Sequence, residues 1–167
     1  MSVALVAEAC RKSAVLWLTL PGRPQPLAAW HVWQDDAALC VHEGGEQHLP
    51  GLAGVDQVEV AVRSKDTGGW LVSWLARPEP VPPGTPQWAV AAAALHAARL
   101  NAPDGEAAPD RWARESRITR LVPVPGSVRG PGELPTDGQF RPPVPSPATT
   151  RGPLPFVLGR RRPPPTA

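Results

Sequence analysis

Short apolar runs broken by turn-forming residues occupy the first part of the chain, and this pattern predicts β-strands. Residues 2–13 come first and predict a short helix, because apolar side chains recur around most of their turn. Residues 15–20, 27–33 and 38–42 then read as three strands in succession. The connections between them are short, so the three strands are expected to form a meander.

A second group of elements follows a Gly-Gly turn. Residues 57–64 alternate apolar and polar side chains, and residues 70–76 return as the partner strand of a hairpin. The proline-rich residues 78–83 predict a stiff connector, after which Thr85 and Pro86 suit the start of a helix that ends near residue 100. Residues 117–122 alternate again as a sixth strand that closes the barrel. We therefore predict a mainly β domain with helices, folded as a small six-stranded barrel.

Composition divides the chain near residue 122. The chain has 167 residues and 24 prolines, and 13 of those prolines lie in residues 123–167. That segment has no hydrophobic periodicity and ends in the arginine- and proline-rich residues 160–165. We predict a folded domain over residues 1–122 and a disordered or polyproline-like tail over residues 123–167.

Charge divides the chain in the same way. Residues 1–122 hold 11 Lys and Arg against 13 Asp and Glu, whereas residues 123–167 hold 6 against 2. A nucleic-acid-binding module would carry positive charge on its folded face, so we expect no nucleic-acid partner. Neither a membrane span nor a signal peptide is expected. With Cys10 and Cys40 as its two cysteines, the chain is expected to be cytoplasmic and reduced.

The turn after the third predicted strand is a candidate anion site. Gly44, Gly45, Gln47 and His48 lie between that strand and a short helical turn, where free backbone N–H groups can hold a phosphate. Glu46 in the same turn would repel an anion. The alternative interpretation is an ordinary flexible turn.

Two further groups of residues are candidate ligand contacts. Arg63, Ser64 and Lys65 end the fourth predicted strand and bring two cations and a hydroxyl together, or they are solvated turn residues. Trp30 points to one face of its strand, while His31 and Trp33 point to the other. One of these faces can line a flat pocket for a ring, with His31 as its polar group, or both can belong to the core.

Metal binding and nucleophilic catalysis are not expected. Cys40, His42 and His48 have no fourth ligand at a recognisable spacing, and no serine has a recognisable base partner. No catalytic residue is assigned from the sequence.

The order of elements, with the segments AAWHVW, GGEQHLPGL and VRSKDTGG, resembles the pyridoxamine 5′-phosphate oxidase-like proteins, the FMN-binding split barrels. The resemblance covers roughly residues 8–122. It implies a homodimer that binds FMN, or the deazaflavin F420 in some branches, in a groove at the dimer interface. It also places phosphate contacts on the second strand and on the Gly44–Gly45 turn, hence at His31 and residues 44–48.

The resemblance implies a flavoprotein and oxidoreductase in which the cofactor transfers hydride to or from a small molecule. The chain departs from the family pattern, because the turn carries Glu46, Gln47 and His48 where cations are expected. Arg63 and Lys65 are our candidates for the missing positive charge. The alternative is a cofactor-free barrel that serves as an interaction module, with the basic proline-rich tail recruiting a protein partner.

Overall fold

The structure of the protein is a computed structural model that describes residues 3–23, 25–64 and 68–133. Lys65, the tip of the predicted hairpin turn and residues 134–167 of the predicted tail lie outside the described residues. The three helices are α1 (Val3–Lys12), α2 (Pro86–Ala98) and α3 (Ala108–Glu115). The seven strands are β1 (Val15–Thr19), β2 (Leu27–Trp30), β3 (Val32–Gln34), β4 (Ala37–His42), β5 (Val58–Arg63), β6 (Trp70–Val81) and β7 (Arg117–Pro123).

The strands form one antiparallel sheet in the order β2-β1-β5-β6-β7-β4-β3, which curls into a nearly closed barrel. The predicted class, a mainly β split barrel with helices, is confirmed. The predicted strand count of six is wrong, because residues 27–33 form two strands. Trp30 pairs with Val15 of β1, whereas Val32 pairs with Leu39 of β4, so the strand changes partner at His31. That one residue joins the two edges of the sheet.

The first two prolines of the predicted connector, Pro78 and Pro80, are part of a strand, and Pro82 and Pro83 follow its end. β6 pairs with β5 only as far as Ala76, while it continues to pair with β7 as far as Val81. Beyond Ala76 the strand therefore has a neighbour on one side only. Pro78 and Pro80 are tolerated there because a proline lacks only the N–H that would point to the open side.

Two apolar clusters hold the domain together. The first fills the barrel with the inward side chains of β1, β5 and β6, including Val58, Val60, Val62 and Trp74. The alternation predicted for residues 57–64 is thus confirmed. The second lies between the sheet and helices α2 and α3, and its largest side chain is Trp112, which is fully buried.

Helix α2 begins as its sequence predicts. The Thr85 hydroxyl accepts a 3.1 Å hydrogen bond from the Trp88 N–H, and Pro86 is the first helical residue. The helix ends at Ala98, and Asn101 then takes a positive φ of 56°. Within the described residues, no helix is long and apolar enough to cross a membrane.

The chain keeps contact with the barrel beyond residue 122. Ser73 of β6 exchanges two backbone hydrogen bonds with Arg129, of 2.9 and 2.8 Å, and Val128 is buried against the barrel core. Residues 124–129, which the sequence assigns to the tail, therefore run alongside β6 and pair with its edge.

Candidate functional site

Three neighbouring strands begin or end side by side. This row of strand ends, called the edge below, gathers several of the candidate residues. β2 ends at Trp30 opposite Val15, the first residue of β1. β5 pairs with β1 through Trp17 and Ala61 and ends two residues further on at Arg63. The backbones of His31 and Arg63 therefore lie at the same edge, two strand spacings or about 10 Å apart. Alternation along the strands directs the Arg63 side chain away from the barrel core, whereas Trp33, two residues after His31, packs against that core.

A cavity of about 360 Å³ opens at this edge, between the last turn of α1 and β3. Its volume lies within the range of small-molecule sites. It is lined by Cys10, Arg11, Lys12, Ser13, Ala14, His31, Val32 and Trp33.

His31 is a buried, neutral residue that lines this cavity, and only 6% of its surface is exposed. Its Nε2 lies 3.1 Å from the Cys10 carbonyl oxygen, and because a carbonyl only accepts, Nε2 carries the hydrogen. Burial lowers the pKa of His31 to about 4, against the opposing effect of hydrogen bonds to the backbone. The backbone of Ala14 also raises this pKa, but only the Cys10 carbonyl makes a hydrogen bond of ordinary geometry. Nδ1 is an acceptor and has no partner of that geometry among the described residues.

Trp33 lines the same cavity and carries an indole N–H donor. Its ring is partly buried against the barrel core, and its indole Nε1 is buried without a hydrogen-bond partner among the described residues. Unmatched buried polar atoms are uncommon in folded proteins, because each costs free energy. One unmatched acceptor and one unmatched donor thus stand on two residues that line one cavity.

The cavity also has a cationic rim that the sequence analysis missed. Arg11 and Lys12, at the end of α1, line it, and Lys12 forms an exposed ion pair with Glu8 one helical turn earlier. The only sequence signal was that two adjacent cations end the helix. Such a pair is also typical of an ordinary helix C-terminus.

Arg63 is held between two indole rings. Its guanidinium carbon lies 4.8 Å from the Trp17 ring centroid and 4.5 Å from that of Trp70. This is cation–π geometry, which fixes the position of the charge at the sheet edge. The Arg63 Nε is buried and has no hydrogen-bond partner within the described part of the chain. Ser64, which follows, donates its backbone N–H to the Gly69 carbonyl at 2.8 Å.

The Gly44–Gly45 turn lies on the other side of the sheet, against α3. The Gly44 carbonyl accepts a 2.6 Å hydrogen bond from Arg111, and the Ser116 hydroxyl donates to the Glu43 carbonyl at 3.1 Å. A side chain at Gly44 would collide with the Glu115 carbonyl oxygen. Glycine is needed there because α3 packs onto the turn, which gives this turn a structural role.

Glu46 is the centre of an ion-pair network and does not face a ligand. Its side chain is 1% exposed and lies 2.8 Å from Arg111 and 3.2 Å from Arg99. The Trp112 indole donates a further bond of 2.9 Å to it. Desolvation alone would raise the pKa of Glu46, but the bonds from Arg111 and Trp112 and the two arginine charges together lower it. The charge expected to repel an anion is therefore neutralised within the fold.

Gln47 and Trp30 are brought together, but through hydrogen bonds between the Gln47 side chain and the Trp30 backbone. The Gln47 amide accepts from the Trp30 N–H at 2.8 Å and donates to the carbonyls of Trp30 and Val41, each at 3.0 Å. The Gln47 side-chain amide therefore makes its hydrogen bonds within the chain. The Trp30 ring packs on the α2 side and faces the Arg99 guanidinium at 5.4 Å. His48 is exposed, and no three His, Cys, Asp or Glu among the described residues cluster as metal ligands.

The fold is that of the split barrels. The chain is similar to the heme storage protein HutZ of Vibrio cholerae, with a TM-score of 0.54 and 16% identity over 77% of this chain and 93% of HutZ. It is also similar to an FAD-binding protein of Mesorhizobium loti, with a TM-score of 0.51 and 16% identity over 77% and 90% of the two chains.

A proposed pyridoxamine 5′-phosphate oxidase of Listeria innocua matches with a TM-score of 0.50 and 10% identity, over 77% of this chain and 96% of the other. No protein-family model and no curated protein sequence matches the chain. These similarities establish the architecture.

Proposed function

We propose that the protein binds a flavin nucleotide at the edge formed by β2, β1 and β5, with the flavin ring in the cavity beside His31 and Trp33. The observation that carries this proposal is that two residues lining that cavity, His31 and Trp33, each hold a buried polar atom, Nδ1 and Nε1, without a hydrogen-bond partner among the described residues. The pyrimidine edge of a flavin presents both an N–H donor and carbonyl acceptors, so one ring can match both atoms. The FAD-binding neighbour of the same fold supports this choice of ligand.

The phosphate of the nucleotide fits the cations at the same edge. The two indoles that flank Arg63 hold its guanidinium in place before a ligand arrives, which reduces the entropy lost on binding. Arg63 lies about 10 Å from the His31 side of the edge, two strand spacings away. A ribityl chain that passes around the edge would join a ring beside His31 to a phosphate at Arg63, and Arg11 and Lys12 add positive charge at the cavity rim.

A bound flavin would supply two-electron hydride chemistry. The protein would hold and orient the ring through His31 and Trp33 and shield one edge of it from water. Because the pKa of His31 is lowered to about 4, this imidazole is neutral at pH 7 and acts there as a hydrogen-bond acceptor and not as an acid. FMN as the nucleotide, with deazaflavin F420 as its alternative, and hydride transfer to a small molecule complete the proposed function.

A homodimer is part of the proposal. Val15, Leu71 and Leu75 expose 37%, 40% and 36% of their surface on β1 and β6, close to the strand positions of Trp17 and Trp70. The two strands flank β5 in the sheet, and exposed apolar side chains on the surface of one sheet favour association. Light scattering on the purified chain measures its mass directly, and a monomer at micromolar concentration would remove the dimer from the proposal.

One observation favours the alternative, an interaction module without cofactor. The turn where the family resemblance places a phosphate is engaged by Arg111, and Gln47 makes all its bonds within the chain. A barrel that folds around this turn needs no nucleotide there. The proline-rich residues 134–167, outside the described residues, would then recruit a protein partner.

Replacing single donor atoms tests the proposed ring site. Trp33→Phe removes the indole N–H and keeps a ring, and Trp88→Phe on α2 is the matched control. We expect Trp33→Phe to weaken FMN binding about tenfold, the value of one hydrogen bond, in a fluorescence titration. Trp88→Phe should bind as the wild type does. Equal affinities for both variants would remove the ring from this cavity.

A further inference from the structure

A second cavity, of about 310 Å³, lies at the far end of β6, where the barrel is open. Most of its wall is apolar, and the polar exceptions are Ser116 at the end of α3 and Arg117 and Thr119 at the start of β7. The lining includes Ala53, Pro78, Pro80, Val81, Arg117 and Thr119. It takes no part in the flavin site.

Strand register places an imidazole next to this cavity. His42 pairs with Arg117, and Thr119 stands between Cys40 of β4 and Pro80 of β6. Residues that face each other across antiparallel strands share a face of the sheet, so His42, Arg117 and Thr119 point to the same side. The topology thus brings three chemically active side chains together from two strands.

The contacts within this group have a defined direction. His42 Nε2 lies 3.0 Å from the Thr119 hydroxyl oxygen, and His42 Nδ1 lies 3.8 Å from a carboxylate oxygen of Glu43. A carboxylate favours the hydrogen on Nδ1, which leaves Nε2 to accept the hydrogen of Thr119. Nδ1 itself has no hydrogen-bond partner among the described residues, and the His42 side chain is fully buried.

The surroundings of His42 lower its pKa, so its imidazole is neutral and can accept a proton. Burial lowers the pKa of His42, Glu43 raises it in part, and Arg117 and His48 lower it again. His42 is therefore neutral at pH 7. Arg117, whose Nε lies 2.9 Å from Glu43, brings a cation to the mouth of the cavity.

We propose that Thr119 and His42 form a nucleophile–base pair that transfers the acyl group of small, apolar carboxylic esters bound in this cavity. Glu43 is a positioning residue that orients the imidazole, and Arg117 stabilises the oxyanion. This arrangement of hydroxyl, imidazole and carboxylate is the one that activates a hydroxyl nucleophile. His42 and Glu43 are 3.8 Å apart in the free protein. We expect this distance to shorten when the imidazole becomes charged, because catalytic hydrogen bonds tighten in the reacting complex.

The reaction balances without any redox partner. The Thr119 oxygen bonds to the acyl carbon while its proton passes to His42 Nε2, and the ester C–O bond breaks as that proton moves to the leaving alcohol. Water, deprotonated by His42, then attacks the acyl-threonine. The carboxylic acid is released and the Thr119 hydroxyl is restored.

The test uses the full chain without added flavin and p-nitrophenyl acetate as the substrate. We expect the wild type to release p-nitrophenolate and to carry an acetyl group on the peptide that contains Thr119. Thr119→Val and His42→Gln should each lower the rate about 100-fold or more. Thr119→Ser should stay within about tenfold of the wild type, and Thr19→Val, a strand threonine outside the cavity, should leave the rate unchanged.

A pH profile of the rate distinguishes a positioning role of Glu43 from a purely structural one. Because Glu43 raises the pKa of His42, Glu43→Gln should move the acid limb of the rate profile to lower pH. Hydrolysis no faster than in buffer, an acetyl group that maps only elsewhere, or a wild-type rate in Thr119→Val would each overturn the proposal. If Thr119→Val does not fold, the acetyl position in the wild type and the Thr119→Ser rate decide. Since no flavin is present, these outcomes are independent of the flavin titrations.

Discussion

Arg111 donates a 2.6 Å hydrogen bond to the Gly44 carbonyl oxygen and thereby ties α3 to a turn that lies 67 positions earlier in the chain. The same side chain also pairs with Glu46 at 2.8 Å and with Asp104 at 2.7 Å. One cation therefore satisfies a carbonyl and two carboxylates.

Loss of Arg111 should mainly affect stability. Arg111→Ala leaves the buried Glu46 carboxylate with Arg99 as its remaining ion-pair partner among the described residues, so we expect a loss of about 3 kcal/mol in the free energy of unfolding. Urea denaturation measures it, with the exposed Arg114→Ala on the same helix as the control. Equal midpoints for the two variants would show that the network adds nothing to stability.

The two glycines of the turn should respond differently to alanine. Both have positive φ, 56° at Gly44 and 86° at Gly45, so each substitution strains the backbone by about 1 kcal/mol or more. Only at Gly44 does the new methyl group meet the Glu115 carbonyl; at Gly45 the nearest atom is an Arg111 nitrogen at 3.5 Å. We expect Gly44→Ala to lower the melting temperature clearly more than Gly45→Ala. The reverse order would contradict the packing of α3 on this turn.

His31 should make stability depend on pH. Its pKa is lowered from 6.5 to about 4, so below pH 6.5 the unfolded chain binds a proton that the folded chain does not. Stability should therefore fall as the pH drops from about 6.5 to 4, by up to about 3 kcal/mol, and be fully present above pH 6.5. His31→Gln should flatten this slope in urea unfolding, whereas the exposed His48→Gln should keep it. A slope unchanged in His31→Gln would assign the effect to other groups.

Replacing Arg63 should weaken the binding of FMN, which carries a phosphate, and not that of riboflavin, which lacks one. If Arg63 holds the phosphate, Arg63→Ala weakens FMN binding about tenfold or more and leaves riboflavin binding unchanged. Arg77→Ala, an exposed arginine on β6, serves as the control. Calorimetry of both ligands measures the difference. An equal effect on FMN and riboflavin would place Arg63 away from the phosphate.

Local patterns predicted much of the fold. The alternation of Val58, Val60 and Val62 and the Thr85–Pro86 helix start are set by neighbouring residues, so one sequence shows them. The break of a strand at His31 and the strand through Pro78 and Pro80 depend on which strands lie alongside, which local patterns do not encode.

The residues of the candidate site also divide into those that local patterns predict and those that depend on distant contacts. Placing His31 and Trp33 on one strand face needed only the two-residue period of a strand, and both line the cavity. The roles of Arg111 and Glu46 depend on contacts across 65 positions, and their charges alone did not reveal them. The His42–Thr119 contact spans 77 positions and was missed for the same reason.

The most direct test of the flavin site is the visible absorption spectrum of the purified full chain, followed by calorimetric titration with FMN, FAD and deazaflavin F420. We predict a yellow protein, or binding of one of these nucleotides with a micromolar or lower Kd, equivalent to about −8 kcal/mol. A colourless protein that binds none of the three would contradict a flavin in this cavity and leave the interaction module as the better explanation of the fold.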